Sequence, residues 1–297
     1  MRFGASVWCL AACACVACAP QVVTAVDREP VDAGRSDAPM AEAGHVEAGP
    51  EASAPDGGAS GAGGAPDAPE PQLRGDALLH RYSFSGLGTQ AFDSKGAAHG
   101  TLIAAQLTDA GSVQLDGTMA QYVDLPNGLI SGLHDATIEA WVTWGGGAVW
   151  QRIFDFGDDD TNTEDGHGFG RSYLFLSPHG TGNFLRAVYK NAMIREVIID
   201  VEPALPVGVS SHVAVVFDDT NNHMNVYVNG TLSGTVELDS KLSQIHDIND
   251  WFGRSQFGTD AHYVGGIDEF RVYDVALDAA EVRKSFESGP DVVFPDL

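Results

Sequence analysis

The sequence predicts an all-β domain, a two-sheet antiparallel jelly-roll sandwich with one short C-terminal helix, preceded by a disordered tether. Three observations carry this prediction. From Leu78 onward, short apolar or alternating segments recur between clusters of Gly, Asn and Asp, the trace that strands and tight turns leave in a sequence. Helical spacing with recognisable caps occurs near the C terminus and nowhere else with conviction. Residues 20–74 contain no Phe, Trp or Tyr, and a chain of that composition cannot bury enough apolar surface to offset the entropy of ordering it. Three parts follow: an export segment at 1–19, a linker at 20–74 and the sandwich at 75–297.

Residues 1–19, MRFGASVWCLAACACVACA, place a cation at Arg2 before an apolar stretch of small residues, which is the order of an export signal. All four cysteines, Cys9, Cys13, Cys15 and Cys18, lie in it. The spacing Cys13-x-Cys15-x-x-Cys18 is dense enough in sulfur for a thiolate metal site, but an export segment is not kept in the folded protein. Leu10-Ala11-Ala12-Cys13 instead resembles the bacterial lipobox, and Cys15-Val16-Ala17-Cys18 is a second, weaker match. The resemblance implies lipidation at Cys13 or Cys18, with ordinary cleavage near Ala19 as the alternative. Ala14, rather than Asp, after Cys13 implies the outer membrane or cell surface. Once this segment is gone the domain has no cysteine, so disulfides, thiol nucleophiles and thiolate ligands are excluded from it.

Residues 20–74 set ten acids and three arginines among Ala, Gly and Pro. Such a chain repels itself and is partly stiffened by Pro, so it holds the domain away from the membrane. Its Asp-Ala-Gly and Glu-Ala-Gly triplets, at 32–34, 42–44 and 47–49, are low complexity rather than a structural repeat. Over the whole chain 16 Lys and Arg face 41 Asp and Glu, a net charge of −25. That balance excludes a nucleic-acid partner, which needs cations to release phosphate counterions. No apolar run of about 18 residues follows the export segment, which excludes a multi-span helical membrane protein.

The predicted strands are 79–84, 112–115, 121–125, 137–144, 152–156, 173–176, 184–189, 196–201, 212–217, 224–228, 231–238 and 267–273. Val228-Asn229-Gly230-Thr231 is the strongest hairpin signal, because Asn-Gly accepts the positive φ values of a type I′ turn. The cluster 218–222 predicts a second tight turn. Asp278-Ala-Ala-Glu281 opens the helix as a capping box, Leu277, Val282 and Phe286 share one face, and Gly289-Pro290 stops it. Strands without intervening helices exclude a doubly wound or α/β-barrel fold and point to a two-sheet jelly roll.

Seven segments in order then carry a resemblance: HRYSFSG (80–86), TIEAWVTW (137–144), WQRIFDFGD (150–158), HVAVVFD (212–218), MNVYVNG (224–230), WFGRSQF (251–257) and GGIDEFRVYD (265–274). Together they resemble the laminin-G-like branch of the concanavalin A-like lectin/glucanase superfamily over residues 78–287. The resemblance implies two curved antiparallel sheets. It implies no single activity, because the superfamily spans lectins, adhesion modules, pentraxins and glycosidases.

Catalytic signatures are weak. A retaining glycosidase needs two carboxylates about 5 Å apart, and the glucanase branch supplies them as Glu-x-Asp-x-(x)-Glu on one strand. Glu237-Leu238-Asp239-Ser240-Lys241-Leu242 lacks the second Glu, and Ile267-Asp268-Glu269-Phe270 is preceded by Gly265 and Gly266 where the pattern needs a carboxylate. Zinc-helix, nucleophile-elbow and dinucleotide signatures are missing, so the protein is expected not to be an enzyme. The acidic loop 158–166 suits calcium in composition. It departs from the EF-hand at Thr163 and Phe169 and reads as a solvated insertion.

The laminin-G resemblance implies one structural calcium, held at Asp93 and Asp268; the alternative is that Asp93 caps a turn and Asp268 accepts backbone hydrogen bonds. For ligands, alternation puts Ile138, Ala140 and Val142 on one face and Glu139 and Trp141 on the other. It likewise puts Tyr227 opposite Val226 and Val228, and Arg271 and Tyr273 opposite Phe270 and Val272. If the second faces meet on an open sheet, Trp141, Tyr227 and Arg271 form a sugar-stacking and hydroxyl-binding surface. The alternative is a Glu139–Arg271 cross-strand bridge with Trp141 packed against it. The expectation is therefore a surface-tethered lipoprotein that binds a glycan or glycoconjugate without catalysis. A protein-binding adhesive sandwich and a glycosidase with an atypical carboxylate pair stay open beside it.

Overall fold

The computed structural model describes residues 75–118, 120–163 and 168–292. The expected export segment, with Cys13 and Cys18, and the expected linker lie outside the described residues. After a 3-10 turn at Gly75–Ala77 the chain forms β1 (Leu78–Tyr82), then the short β2 (Leu87–Gly88), β3 (Gln90–Ala91), β4 (Gly100–Ile103) and β5 (Leu107–Thr108). It continues through β6 (Val113–Asp116), β7 (Tyr122–Leu125), β8 (Ala136–Trp144), β9 (Phe154–Asp159), β10 (Gly170–Gly180) and β11 (Phe184–Lys190). The last elements are β12 (Val197–Val201), β13 (Ser210–Asp218), β14 (His223–Val228), β15 (Thr231–Glu237), β16 (Asn249–Phe252), β17 (Val264–Tyr273) and the helix α1 (Ala279–Ser288).

The long strands make two antiparallel sheets. One runs β1-β17-β8-β13-β14-β15, with β6 also paired to β17. The other runs β12-β11-β10-β9-β16-β7-β4-β3. Alternation along each strand sends one set of side chains between the sheets. Ile138, Ala140, Val142, Phe270 and Val272 from the first sheet meet Phe154, Phe156, Leu174, Leu176 and Phe252 from the second. At the centre Phe252 and Phe270 stack tilted, with ring centroids 4.2 Å apart. The all-β, two-sheet sandwich with one C-terminal helix is therefore the fold.

Local chemistry accounts for the turns. Asn229 and Gly230 take φ of 48° and 71°, so the β14–β15 hairpin closes through the positive-φ pair that Asn-Gly tolerates. Asp278 accepts from the amides of Ala280 and Glu281, and the Glu281 carboxylate accepts from the Asp278 amide, which completes the capping box of α1. Several strands differ from expectation: β2, β3, β4, β5 and β16 were not expected, and β10 spans 170–180 against the predicted 173–176. β9 runs on to Asp159, so Asp158 and Asp159 are buried in a strand and not in a solvated loop. Asp158 is held by Arg171 and His246, and Asp159 by the amides of Thr161 and Gly168. β16 carries Asn249 and Asp250, polar residues that strands seldom bury. Their polar atoms find Gln256 and the Leu129 amide.

Gly265 shows how closely β17 and β8 approach. Its φ is +136°, and a methyl on it would overlap the Thr143 carbonyl oxygen. Gly265→Ala is expected to destabilise the protein by about 2–3 kcal/mol, because backbone and not a flexible side chain has to give way. For a domain of this size that lowers the thermal midpoint by roughly 5–10 °C. A scanning-calorimetry midpoint within about 1 °C of the parent would show that the strand pair relaxes freely.

Candidate functional site

The outer face of the first sheet carries the residues expected to bind a sugar, and the structure corrects that expectation. Trp141, Tyr227 and Arg271 are only 4%, 4% and 1% exposed. The helix α1 and the chain beyond it meet Arg271 through Ser285, Pro290 and Val292 and set Phe286 against His212, and Arg271 and His212 lie against Trp141, while Tyr227 packs with Leu277 and Val282. Arg271 donates to Glu269 Oε1 at 2.6 Å, to Glu139 Oε1 at 3.2 Å and to the carbonyls of Pro290 and Val292 at 2.5 and 3.1 Å. Its guanidinium lies 4.8 Å from the Trp141 ring centroid. Ser285 and Tyr273 donate to Glu139 at 2.8 and 2.9 Å. The cross-strand bridge with Trp141 packed against it is what the sequence built, because α1 brings hydroxyl and carbonyl partners from far along the chain.

Glu139 is fully buried, which by itself raises a carboxyl pKa. The His212 hydrogen bond and charge, the Arg271 guanidinium and the Ser285 hydroxyl outweigh burial and hold it at about 2. A carboxyl depressed in the folded state contributes stability above its unfolded value of 4.5 and loses it as pH falls toward 2. That contribution is about 3 kcal/mol. Urea unfolding at pH 5 and pH 3 is expected to show a stability drop that is smaller by about 2 kcal/mol in Glu139→Gln. An equal drop in both proteins would remove Glu139 from the account.

Asp93 does not fit a cation. Its Oδ1 accepts the amides of Arg81, Lys95 and Gly96 at 3.0, 3.1 and 2.9 Å. Its Oδ2 takes the Ala98 amide at 3.0 Å and His80 Nδ1 at 2.7 Å. Five donors saturate the carboxylate and hold its pKa down against burial. Asp268 sits at the β-bulge of β17 between Ile267 and Glu269, and burial, then Asp291, raises its pKa. Among the described residues no group of three or more His, Cys, Asp or Glu side chains gathers as a metal-ligand set. In this structure Asp93 serves as a turn cap and Asp268 stands at a β-bulge.

The opposite face of the molecule, the outer face of the second sheet, holds a cleft of about 440 Å³ counted to its open mouth. Phe175 of β10 and Arg186 and Val188 of β11 project outward because their neighbours Leu174, Leu176, Leu185 and Ala187 point into the core. Trp150 and Arg152, ahead of β9, wall one side; Phe257 and Asp260, after β16, wall another; Glu196 stands at the edge. Arg152 lies on the floor with its guanidinium 3.8 Å from the Phe175 centroid. It donates to the Trp150 carbonyl at 2.6 Å, Asp155 at 3.2 Å and Asp260 at 2.8 Å. Arg186 makes a bidentate pair with Asp200 at 2.6 and 2.6 Å and lies 5.2 Å from the Trp150 ring centroid.

Trp150 is half-buried at φ 66°, a conformation unfavourable for a bulky residue and one that recurs at binding sites. Its amide donates to His179 at 3.0 Å and its carbonyl accepts Arg152, so the surroundings hold the ring at the cleft wall. Beneath the floor, burial pushes Asp155 up to about 7 although Arg152 and the Gln256 amide oppose it. The arrangement can stack flat apolar faces on Trp150, Phe175 and Phe257 and can accept hydroxyl hydrogens at Glu196 and Asp260. None of these residues was expected as a site. The usable signal was the alternation of Phe175, Arg186 and Val188 against their core-facing neighbours, with aromatics at 150 and 257 on flanking loops.

A laminin G family model described as concanavalin A-like lectin/glucanases superfamily matches residues 116–283, which include every residue of the cleft. No curated protein matches the chain. Among solved structures it is similar to domain 4 of AbnA, an extracellular arabinanase from Geobacillus stearothermophilus, in complex with arabinotriose. That match has 21% identity and a TM-score of 0.54 over 70% of this chain and 97% of that one. It is similar to Trypanosoma rangeli sialidase at 16% identity and a TM-score of 0.55, over 73% of this chain and 34% of that one. The binding domain of botulinum neurotoxin DC, in complex with rat synaptotagmin II, matches at 14% identity and a TM-score of 0.54, over 72% of this chain and 52% of that one. At these identities the likeness is one of fold.

Proposed function

The chain belongs to the laminin G family of the concanavalin A-like lectin/glucanases superfamily, and from that premise we propose that it binds carbohydrate, without cleaving it, in the cleft walled by Trp150, Phe257 and Asp260. The single observation that carries this reading is the combination in one concavity of aromatic faces and fixed polar groups, with Arg152 locked over Phe175 as the floor. Flat aromatic faces suit the C–H faces of sugar rings, and preset acceptors order the hydroxyls at little entropic cost. The arabinotriose complex of the AbnA domain is in keeping with such a use of the fold.

Cleavage is disfavoured by the same geometry. A glycosidase pair needs two carboxylates with faces open to the scissile bond. Asp155 is fully buried and the Arg152 guanidinium joins it to Asp260, while Glu196 is already held by the Tyr173 hydroxyl, so each cleft acid is engaged by a fixed partner. As further parts of the proposal, lipidation at Cys13 or Cys18 places the protein at the outer membrane or cell surface, and the linker presents the cleft away from it.

The test is retention of the full chain in affinity gels cast with arabinan, galactan, xylan or β-glucan, with reducing ends assayed in parallel. Retention by at least one polysaccharide without release of reducing ends is expected. Release of reducing ends would make it a hydrolase. Passage through every gel, together with capture of a protein ligand by the same domain, would favour the adhesive reading.

A further inference from the structure

The cleft also carries a choice between sugar classes, and this step rests on the carbohydrate-binding reading above. We infer that the cleft takes neutral saccharides and discriminates against acidic ones such as uronic or sialic acids. The cations at the cleft are already engaged. Arg152 spends Nε, Nη1 and Nη2 on Asp155, the Trp150 carbonyl and Asp260. Arg186 is tied through Nε and Nη2 to both oxygens of Asp200. Lys190, on the same face, lies 5.4 Å from the Tyr173 ring centroid and donates to the Gly170 carbonyl at 3.5 Å.

The groups left to meet a ligand are of the other sign. Glu196 accepts the Tyr173 hydroxyl through Oε1, and Asp260 accepts Arg152 and Ser255 through Oδ2. Each therefore presents its second oxygen as an acceptor. Counting Arg152, Arg186 and Lys190 against Glu196, Asp200 and Asp260, with Asp155 left out because burial keeps it partly protonated, the cleft has no surplus of positive charge. A carboxylate-bearing sugar would find only Nη1 of Arg186 unspent, on a guanidinium whose charge Asp200 already neutralises, and would bring its own charge up to the carboxylates of Asp200, Glu196 and Asp260, which repel it. The chain as a whole, at −25, repels anions at long range as well. A neutral polyol meets none of these penalties and supplies the hydroxyl hydrogens that Glu196 and Asp260 lack.

The experiment compares matched pairs by isothermal titration of the full chain: lactose with 3′-sialyllactose, and galactotetraose with tetragalacturonic acid. The neutral member of the bound pair is expected to bind at least about tenfold more tightly. Asp200→Asn, which releases Arg186, is expected to narrow that gap by improving the acidic member. Equal or tighter binding of the acidic member would overturn the inference while leaving the carbohydrate reading in place. An unchanged gap in Asp200→Asn would also overturn it, because engagement of Arg186 would then not be what excludes the acid. Binding of neither member of either pair, with no retention in the polysaccharide gels, would overturn the carbohydrate reading and this inference with it.

Discussion

Arg271→Met lowers the unfolding free energy by about 3–5 kcal/mol, the range expected when one partner of a buried charge cluster is removed. Arg271 is the cation that faces both Glu139 and Glu269 from within β17, and its Nη2 is what holds the Pro290 and Val292 carbonyls beyond α1. Methionine fills much of the stem's volume but leaves Glu139 with only His212, Ser285 and Tyr273. Glu269 fares better, since Arg81 still reaches both of its oxygens at 2.5 and 3.2 Å. Most of the loss should therefore come from Glu139. Adding Glu139→Gln to Arg271→Met removes the stranded charge and is expected to restore about 1–2 kcal/mol, a coupling that distant sites do not show. Guanidinium unfolding of the parent, the two single variants and the double variant measures this. A single-variant loss under about 1 kcal/mol would mean that water or a rearranged helix end solvates Glu139.

How much of this was legible in the sequence depends on how far apart the partners stand. The Asn229-Gly230 turn and the Asp278–Glu281 capping box are local devices, complete within four residues, and the structure contains both. The face assignments of 138–142 and 270–273 follow from period-two alternation and describe the core correctly. What alternation could not show is what covers the other face. Ser285 reaches Glu139 across 146 positions of sequence, so the outward Trp141 and Arg271 resemble a binding surface until α1 is set down on them. The same blindness hid the true extent of β9. Asp158 and Asp159 belong outside by composition and are kept inside by Arg171, His246 and the amide of Gly168. The cleft was half legible: Phe175, Arg186 and Val188 alternate with the core-facing Leu174, Leu176, Leu185 and Ala187. The left-handed turn at Trp150 and the return of the 253–260 segment over β9 are tertiary facts that periodicity does not encode.

Trp150 decides whether the cleft is a binding site, and its unusual backbone permits a clean test. Trp150→Gly removes the ring and places at φ 66° the residue that tolerates that conformation best. Loss of the ring's contact with Arg186 destabilises slightly, while relief of the left-handed strain, worth of order 1 kcal/mol, acts in the opposite direction. The thermal midpoint is therefore expected to move by no more than about 4 °C. Binding to the retained polysaccharide is expected to fall at least about 30-fold, the loss typical when a central aromatic anchor is removed. Trp150→Phe keeps a flat face and is expected to recover most of the affinity, whereas Trp150→Leu, equally apolar, is not, because stacking depends on ring shape as well as on buried area. Unaltered affinity in Trp150→Gly would place the sugar elsewhere. The next surface to test would be the stack in which Arg254 lies 4.3 Å from the Trp251 centroid and 4.6 Å from that of Tyr122. A Trp150→Gly variant that binds poorly and also melts far below the parent would instead make the left-handed turn part of the scaffold. The Phe and Leu variants separate that case, since loss of a scaffold contact would not follow the order Trp, Phe, Leu, Gly in affinity while sparing the midpoint in Phe.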